Sequence, residues 1–436
     1  MLPFVETPIH SLEKYWGVIP DILFKEIQRL SKNLAGLKVT MINSTPRGGG
    51  VAEILANLVP LMKGVGLDAH WYVIPPGKKF FGLTKEIHNA LQGKEYTLSF
   101  HSRRLYRFHM ERAAKLMLDM NSDVWVLHDP QPLGIIHYLP NFHPSISHIH
   151  IDTSSPNREA WRFIEPFLSM YNRVVFSAKD FAAKTLPKKK VVIFPPAINP
   201  FTDKNKPLEP NMAKTIIESF RINPAKPLVS QISRFDPWKD PLGVIQAYKL
   251  AKKQIPDLQL ALVGLFLAVD DPEAIKIFRE TQKAAVGDPD IFLFSSPQEL
   301  GSITVDTFVN AFQTGSDVIL QKSLREGFGL TVAEAMWKGK PVIGGKVGGI
   351  KVQIKNGKNG YLVSSPEEAA KRIVQLFKNP KLAQKIGKKA RDSARKNFLM
   401  PRLLRDYLKL FEKLTQPCPP FGKKYIKSLG KFLKVK

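Results

Sequence analysis

Two glutamates stand at either end of the stretch Glu326-Gly327-Phe328-Gly329-Leu330-Thr331-Val332-Ala333-Glu334, which follows an apolar run at 317–320 and opens a helical pattern. Glycines on both sides of Phe328 permit an unusual backbone path into that helix. The N–H groups of Gly329, Leu330 and Thr331 then face outward without intrahelical partners, and with the positive end of the helix dipole they favour a phosphate. Glu326 precedes the helix and can point at a ligand in front of it. Glu334, about one turn inside, can accept two vicinal hydroxyls such as those of a ribose. One carboxylate would hold a sugar and the other a nucleoside. Taken singly, each glutamate reads better as an acid favoured by the helix dipole, and only the glycine context points to a ligand.

Two other stretches offer a place for an anion. Arg234 and Lys239 lie in Ser233-Arg234-Phe235-Asp236-Pro237-Trp238-Lys239-Asp240, just past an apolar run at 228–233. In open α/β sheets ligands bind outside the carboxyl ends of strands. A rigid guanidinium fork and a mobile ammonium together suit a diphosphate that gains negative charge as it leaves. A pair of solvated surface charges is the competing reading. Nearer the start, Asn43-Ser44-Thr45-Pro46-Arg47-Gly48-Gly49-Gly50 joins the first apolar run to a helical pattern, so Gly49 and Gly50 would let backbone approach an anion at a helix start. This stretch is neither a dinucleotide fingerprint nor a P-loop, and a tight turn without a ligand competes with the anion reading.

These loops need strands to carry them. Short runs rich in Val and Ile recur at 38–43, 69–74, 124–128, 146–151, 173–177 and 191–194, then again at 228–233, 258–263, 290–294, 317–320, 341–343 and 360–363. Helical patterns alternate with them, which predicts two parallel, doubly wound α/β sheets in series. The proline-rich, polar stretch 195–227 reads as a linker with one short helix. The expected division is an N-terminal Rossmann-like domain over 1–200, a second over 201–400, and a C-terminal helix plus basic tail over 401–436.

A chain of 436 residues exceeds the roughly 250 to 300 at which single cores stop growing, which also favours two domains. Hydrophobic residues at 44% and charged residues at 24% suit a folded chain rather than a disordered one. Cys418 is the only cysteine, so an intrachain disulfide or a cysteine metal cluster is excluded and a reducing cytoplasm is the expected location. The first residues lack a basic stretch followed by an apolar run, and no apolar run of about 18 residues occurs, so neither a secretory signal nor a spanning helix is expected. A net charge of +27 calls for an anionic ligand or partner. Nucleic acid is set aside as that partner because no nucleic-acid-binding motif accompanies the charge.

The paired glutamates, with Arg234 and Lys239 upstream, resemble the motif of retaining E-x7-E glycosyltransferases of the GT-B fold, two Rossmann-like doubly wound domains facing a central cleft. More narrowly, His88-Asn89-Ala90-Leu91-Gln92-Gly93, His128-Asp129-Pro130-Gln131-Pro132 and His150-Ile151-Asp152-Thr153-Ser154-Ser155-Pro156-Asn157-Arg158 resemble the trehalose glycosyltransferring synthases of archaea and bacteria. Trehalose phosphorylases share much of this wording. The resemblance runs from about 37 to 400 and departs from the family at 94–120 and 295–309.

It implies Gly49, Gly50, Arg234, Lys239, Gly327, Phe328, Gly329, Leu330, Thr331 and Glu334 as donor contacts. Glu326, His150, Arg234 and Lys239 would be the catalytic set, with Asn89, Gln92, Asp129, Gln131 and Asp152 on the acceptor. The implied substrates are a nucleoside diphosphate glucose and unphosphorylated glucose, the implied product trehalose, and the rival reaction is phosphorolysis with inorganic phosphate. The expected route has the acceptor hydroxyl attacking from the side of the departing phosphate. No cofactor or metal is required, although Mg²⁺ would suit the donor diphosphate. UDP and ADP both stay open as the leaving nucleotide, and a homodimer is compatible with the sequence without being demanded by it. Residues 421–436 read as a solvated terminus, with contact to anionic lipid as the weaker alternative.

Overall fold

Every residue of β3 (Val124–His128), β4 (Ser145–Ile149), β7 (Leu228–Ile232) and β8 (Gln259–Val263) is buried, so these strands need cover on both faces. The computed structural model, which describes residues 1–75, 77–139, 141–265 and 272–416, supplies it with helices on each side. One six-stranded parallel sheet combines β3 and β4 with β1 (Lys38–Asn43), β2 (Asp68–Val73), β5 (Arg173–Phe176) and β6 (Val191–Ile193), in the order β2-β1-β3-β4-β5-β6. The other combines β7 and β8 with β9 (Ile291–Phe294), β10 (Val318–Gln321), β11 (Val342–Gly345) and β12 (Tyr361–Val363), in the order β12-β11-β10-β7-β8-β9. The doubly wound α/β expectation is met in both halves.

Strand periodicity sorts the core. Val39 and Met41 of β1 pack with Ile27, Leu55 and Leu403 from the helices Asp21–Asn33, Gly50–Gly64 and Met400–Thr415. Their neighbour Ile42 packs on the opposite face with Ile87, Tyr106 and Ile164, from the helices Lys78–Leu91, Phe100–Lys115 and Arg158–Met170. In the second sheet the chain runs from β7 out to β8 and β9 on one side, then returns to β10 on the other. The loops after β7 and β10 therefore diverge, leaving a crevice at the carboxyl ends of these strands. The same reversal occurs at β1, between β2 and β3.

The expected short helix of the linker is Pro210–Ser219. Ile198 pairs with the segment ahead of the last helix, giving Ile198 N–H to Phe398 O at 2.8 Å and Met400 N–H to Ile198 O at 2.9 Å. The buried Arg402 guanidinium donates to the carbonyls of Pro195 (2.5 Å) and Pro196 (3.0 Å) and pairs with Asp406. That last helix lies against Asp21–Asn33, where Asn33 bonds Glu412 at 2.7 Å and Lys409 pairs with Glu26 at 2.6 Å.

One strand differs from expectation. The run 146–151 stops pairing at Ile149, because the His150 N–H turns to the Asp129 carboxylate at 2.8 Å. His150 and Asp152 consequently sit on the loop beyond the strand. Among the described residues no helix is long and apolar enough to cross a membrane. The basic tail 421–436 lies outside the described residues.

Candidate functional site

Lys239 and Glu326 meet at the crevice of the second sheet. Asp236 caps the turn Pro237–Lys239 by accepting from Trp238 N–H at 2.8 Å, and Gln231 of β7 donates to the Lys239 carbonyl at 2.9 Å. So held, Lys239 Nζ donates to Glu326 Oε2 at 2.5 Å. The same oxygen accepts from Ser323 Oγ at 3.2 Å and Gln321 Nε2 at 3.4 Å, while Gln321 Oε1 accepts from Thr331 Oγ1 at 3.0 Å. Thr331 in the first turn of the helix Leu330–Trp337 thus braces the glutamate ahead of it. Asp240 completes the loop: it pairs with the buried Lys322 and caps the helix Pro241–Lys252 through Gly243 N–H at 3.0 Å. Arg234 differs, being largely exposed, and among the described residues its guanidinium has one ion-pair contact, with Asp236 at 3.5 Å.

Behind Glu326 runs a second glycine pair that the sequence reading passed over. Gly349 N–H donates to the Gly327 carbonyl at 3.1 Å, and a Cβ on Gly349 would lie 2.4 Å from Phe328 Cα. Only glycine lets the loop after β11 back the Glu326 segment this closely. Its signal, a Val-Gly-Gly just past an apolar run, was present at 347–349.

Loops of the first sheet face this segment. A Cβ on Gly50 would be 3.7 Å from Leu330 Cδ1, one on Gly327 would be 3.6 Å from the His150 carbonyl, and one on Gly93 would be 3.5 Å from Arg325 Nη2. The structure therefore brings together the glycine loop after β1, the loop after β4 and the Lys239–Glu326 pair. Gly49 enters its helix at φ 91°, a conformation reserved in practice for glycine. Asn89 and Gln92 are half-buried at the end of the helix Lys78–Leu91, which the Asn157 N–H ties to the loop after β4 through the Ala90 carbonyl at 2.8 Å. Gln131 Oε1 is buried without a hydrogen-bond partner among the described residues. Asp152 accepts from Ser154 N–H at 2.9 Å, and Asp129 spends one oxygen on His150 while burial pushes its carboxyl up to about 7.

His128, His148 and His150 bring one ring nitrogen each within 4.8 Å of one another. The His148 and His150 rings are stacked with centroids 3.9 Å apart, and His128 Nδ1 bonds His150 Nε2 at 2.9 Å. One contact is a stack and the other a hydrogen bond in the plane of the rings, so His150 links its two neighbours. Burial holds all three neutral, pushing His150 down to about 3 and the other two well below their ordinary range. Tyr407 of the last helix bonds His148 Nδ1 at 2.5 Å.

Glu334 is where the structure departs furthest from the simple picture of a carboxylate open to the cleft. It is fully enclosed, with Lys204 Nζ 2.9 Å from Oε1 and Gln313 Nε2 at 3.0 Å from Oε2. Lys204 also pairs with Glu53 at 2.7 Å, and Lys338 donates to Gln313 Oε1 at 2.7 Å. No local spacing flagged Lys204, Gln313 or Glu53, which lie on three different elements.

A family model described as the N-terminal domain of trehalose synthase matches residues 41–183, and one described as glycosyl transferases group 1 matches 212–393. The chain is 42% identical over 406 residues to the trehalose synthase of Pyrococcus horikoshii, covering 93% of this chain and 96% of that one. With the trehalose synthase of Rubrobacter xylanophilus it shares 41% identity, covering 95% of this chain and 99% of the relative. Among solved structures, sucrose-phosphate synthase from Thermosynechococcus elongatus superposes with a TM-score of 0.66 at 16% identity, over 86% of this chain and 99% of that one.

Proposed function

The chain belongs to the trehalose synthase family of GT-B glycosyltransferases, and on that premise we propose that it joins glucose from a nucleoside diphosphate donor to free glucose, forming the α,α-1,1 linkage with retention. The observation that carries this reading is the Lys239–Glu326 pair, 2.5 Å apart in the crevice between β7 and β10 and facing the loop that bears His150. An ammonium there would neutralise the departing diphosphate, and the exposed guanidinium of Arg234 would join it. Gly49 and Gly50 in the opposite loop, with the amides of Gly329, Leu330 and Thr331, would complete the phosphate cradle.

Glu326, oriented by Lys239, Ser323 and Gln321, would hold hydroxyls of the donor glucose as its anomeric carbon gains positive charge. The acceptor hydroxyl would attack from the leaving side, its proton passing to the departing phosphate oxygen. That oxygen is the strongest base formed on that face, and among the described residues no carboxylate of this crevice is free of a cationic or hydrogen-bonding partner to act as nucleophile. His150, kept neutral by burial, and Asp152 would fix hydroxyls of both sugars. Asn89, Gln92, Asp129 and Gln131 would line the acceptor side, where the orphan Gln131 Oε1 offers an acceptor for a sugar hydroxyl. Glu334 would take the ribose hydroxyls. No metal is needed for this route, and Mg²⁺ would enter only with the diphosphate.

Incubation with UDP-, ADP- or GDP-glucose plus glucose should yield a non-reducing disaccharide with release of the nucleoside diphosphate. Release of glucose 1-phosphate from trehalose that depends on inorganic phosphate and ignores nucleotides would replace this reading with that of a phosphorylase.

A further inference from the structure

We propose that Met41 and His128 are positioning residues that set the polarity of His150, making its Nδ1 a hydrogen-bond acceptor for a sugar hydroxyl. The inference rests on the reading that His150 meets the sugars, and adds what decides how it bonds them. Its ground is a row of side chains that the parallel register collects on one face of the first sheet. Met41 of β1 lies opposite Val126 of β3, two residues before His128, and His128 lies opposite His148 of β4, two residues before His150. Alternate residues of a strand share a face, so Met41, His128 and His148 stand on the same side. His150 lies just past the strand, where the Asp129 carboxylate holds its N–H at 2.8 Å and keeps it beside them.

His128 Nε2 lies 3.5 Å from Met41 Sδ, and His128 Nδ1 lies 2.9 Å from His150 Nε2. A thioether sulfur accepts weakly and has no proton to donate. His128 is fully enclosed, and burial keeps both imidazoles neutral, so each ring carries one proton. Only two arrangements satisfy the bond between the rings. With the His128 proton on Nε2, that N–H donates to the sulfur while Nδ1 accepts from the His150 Nε2–H, and both enclosed nitrogens of His128 have a partner. With the proton on Nδ1, the Nε2 lone pair is left against the lone pairs of the sulfur, enclosed and without a donor. An unsatisfied buried acceptor disfavours the second arrangement. His150 therefore carries its proton on Nε2, and its Nδ1 is bare.

That bare nitrogen is the accessible one. His150 is half-buried where His128 and His148 are enclosed. Its Nδ1 has no hydrogen-bond partner among the described residues and, unlike His148 Nε2, is not shut off from solvent. His148 stacks on the ring at 3.9 Å and engages Tyr407 through its own Nδ1 at 2.5 Å, so it fixes the plane of His150 without sharing a proton with it. The same loop abuts the Glu326 segment, since a Cβ on Gly327 would lie 3.6 Å from the His150 carbonyl. A bare ring nitrogen accepts from an O–H and repels another lone pair, so the sugar hydroxyl that meets it must donate.

The test labels the 10 histidines of the full chain with ¹⁵N and reads their tautomers by long-range ¹H–¹⁵N correlation at neutral pH, the His150 signals being those lost in His150→Ala. The parent should show His150 protonated on Nε2 and bare on Nδ1; a protonated Nδ1 overturns the inference. Met41→Leu keeps the volume and removes the sulfur acceptor, so His150 should move towards an even mixture of tautomers and kcat/KM for glucosyl transfer should fall about twofold, the share of molecules left competent. His128→Phe should lower kcat/KM about tenfold, one hydrogen bond's worth, and His128→Asn, whose side-chain oxygen can stand where Nδ1 stood, should restore most of it. Parental kcat/KM in His128→Phe, or a His128→Asn protein no more active than His128→Phe, also overturns the inference. Should His128→Phe fail to fold by circular dichroism, the parent spectrum and Met41→Leu still decide. His150→Ala separates the two layers: if it transfers glucose as well as the parent, the sugar reading of His150 itself fails, and if it is impaired while His128→Phe is not, the role of His128 fails alone.

Discussion

Replacing Lys239 by Ala removes both a support of the fold and the cation expected at the leaving group, and the two effects have different sizes. In the free protein Glu326 would lose its partner at 2.5 Å and keep only Ser323 Oγ and the longer contact to Gln321. The two side chains are 17% and 9% exposed, so the loss falls short of the roughly 3–5 kcal/mol for breaking a fully buried pair and should be about 1–3 kcal/mol. For the reaction, withdrawing a preorganised donor from developing charge costs about 2.7–4 kcal/mol, or 10²–10³ in kcat. The assay is release of nucleoside diphosphate from the donor in the presence of glucose, with kcat and KM separated, beside thermal unfolding of both proteins. A fall in kcat much larger than any rise in KM marks stabilisation of the transition state. A variant of lowered Tm whose kcat/KM stays within about threefold of the parent would refute the reasoning, since Lys239 would then serve only to hold Glu326.

Arg234→Ala should act on the donor and not on the fold, because the side chain is 74% exposed and its contact to Asp236 is long, at 3.5 Å: KM for the donor rises about tenfold while Tm stays unchanged, and a marked loss of stability would contradict this. Gly349→Ala would press a methyl group onto the backbone of Phe328 and Gly327, so overpacking of about 1–3 kcal/mol and loss of activity through a displaced Glu326 are expected from unfolding and turnover measurements. Tyr407→Phe deprives the buried His148 Nδ1 of its partner and should destabilise by about 1–3 kcal/mol in thermal melts. Acid should weaken the fold through His128, His148 and His150. Below about pH 6.5 the unfolded chain binds protons that the buried rings refuse, so stability falls as pH drops from there towards about 3. Asp129, raised to about 7, and Glu53 and Asp317, also pushed up by burial, work in the opposite sense over part of that window, while burial pushes His88 down to about 4 and adds it to the three rings, so the buried imidazoles set the net sign. Melting temperatures that stay flat between pH 6.5 and 5 would contradict it.

Much of this architecture can be read along the chain, because the information is local. A short apolar run bounded by turn residues favours a buried strand, and the twelve strands among the described residues fall where such runs occur. Arg234, Lys239 and Glu326 were legible for the same reason: they directly follow apolar runs, and residues at strand ends of a parallel sheet share one edge. The order of strands brought β7 beside β10, and with it Lys239 against Glu326. Other outcomes depended on how distant surfaces meet. Asp129 ended β4 by capturing the His150 N–H from a neighbouring strand, Gly349 mattered only once its loop backed Phe328, and Tyr407 reached His148 only because the last helix folds back over the first sheet. Glu334 is the clearest case. Spacing placed it in a helix behind Glu326, but whether its carboxylate stood open or engaged was decided by Lys204, far along the chain on a segment with no motif of its own. Backbone periodicity and loop chemistry act over a few residues and are written in the sequence, whereas the partner of a buried charge is chosen by the apposition of whole elements, which local spacing does not encode.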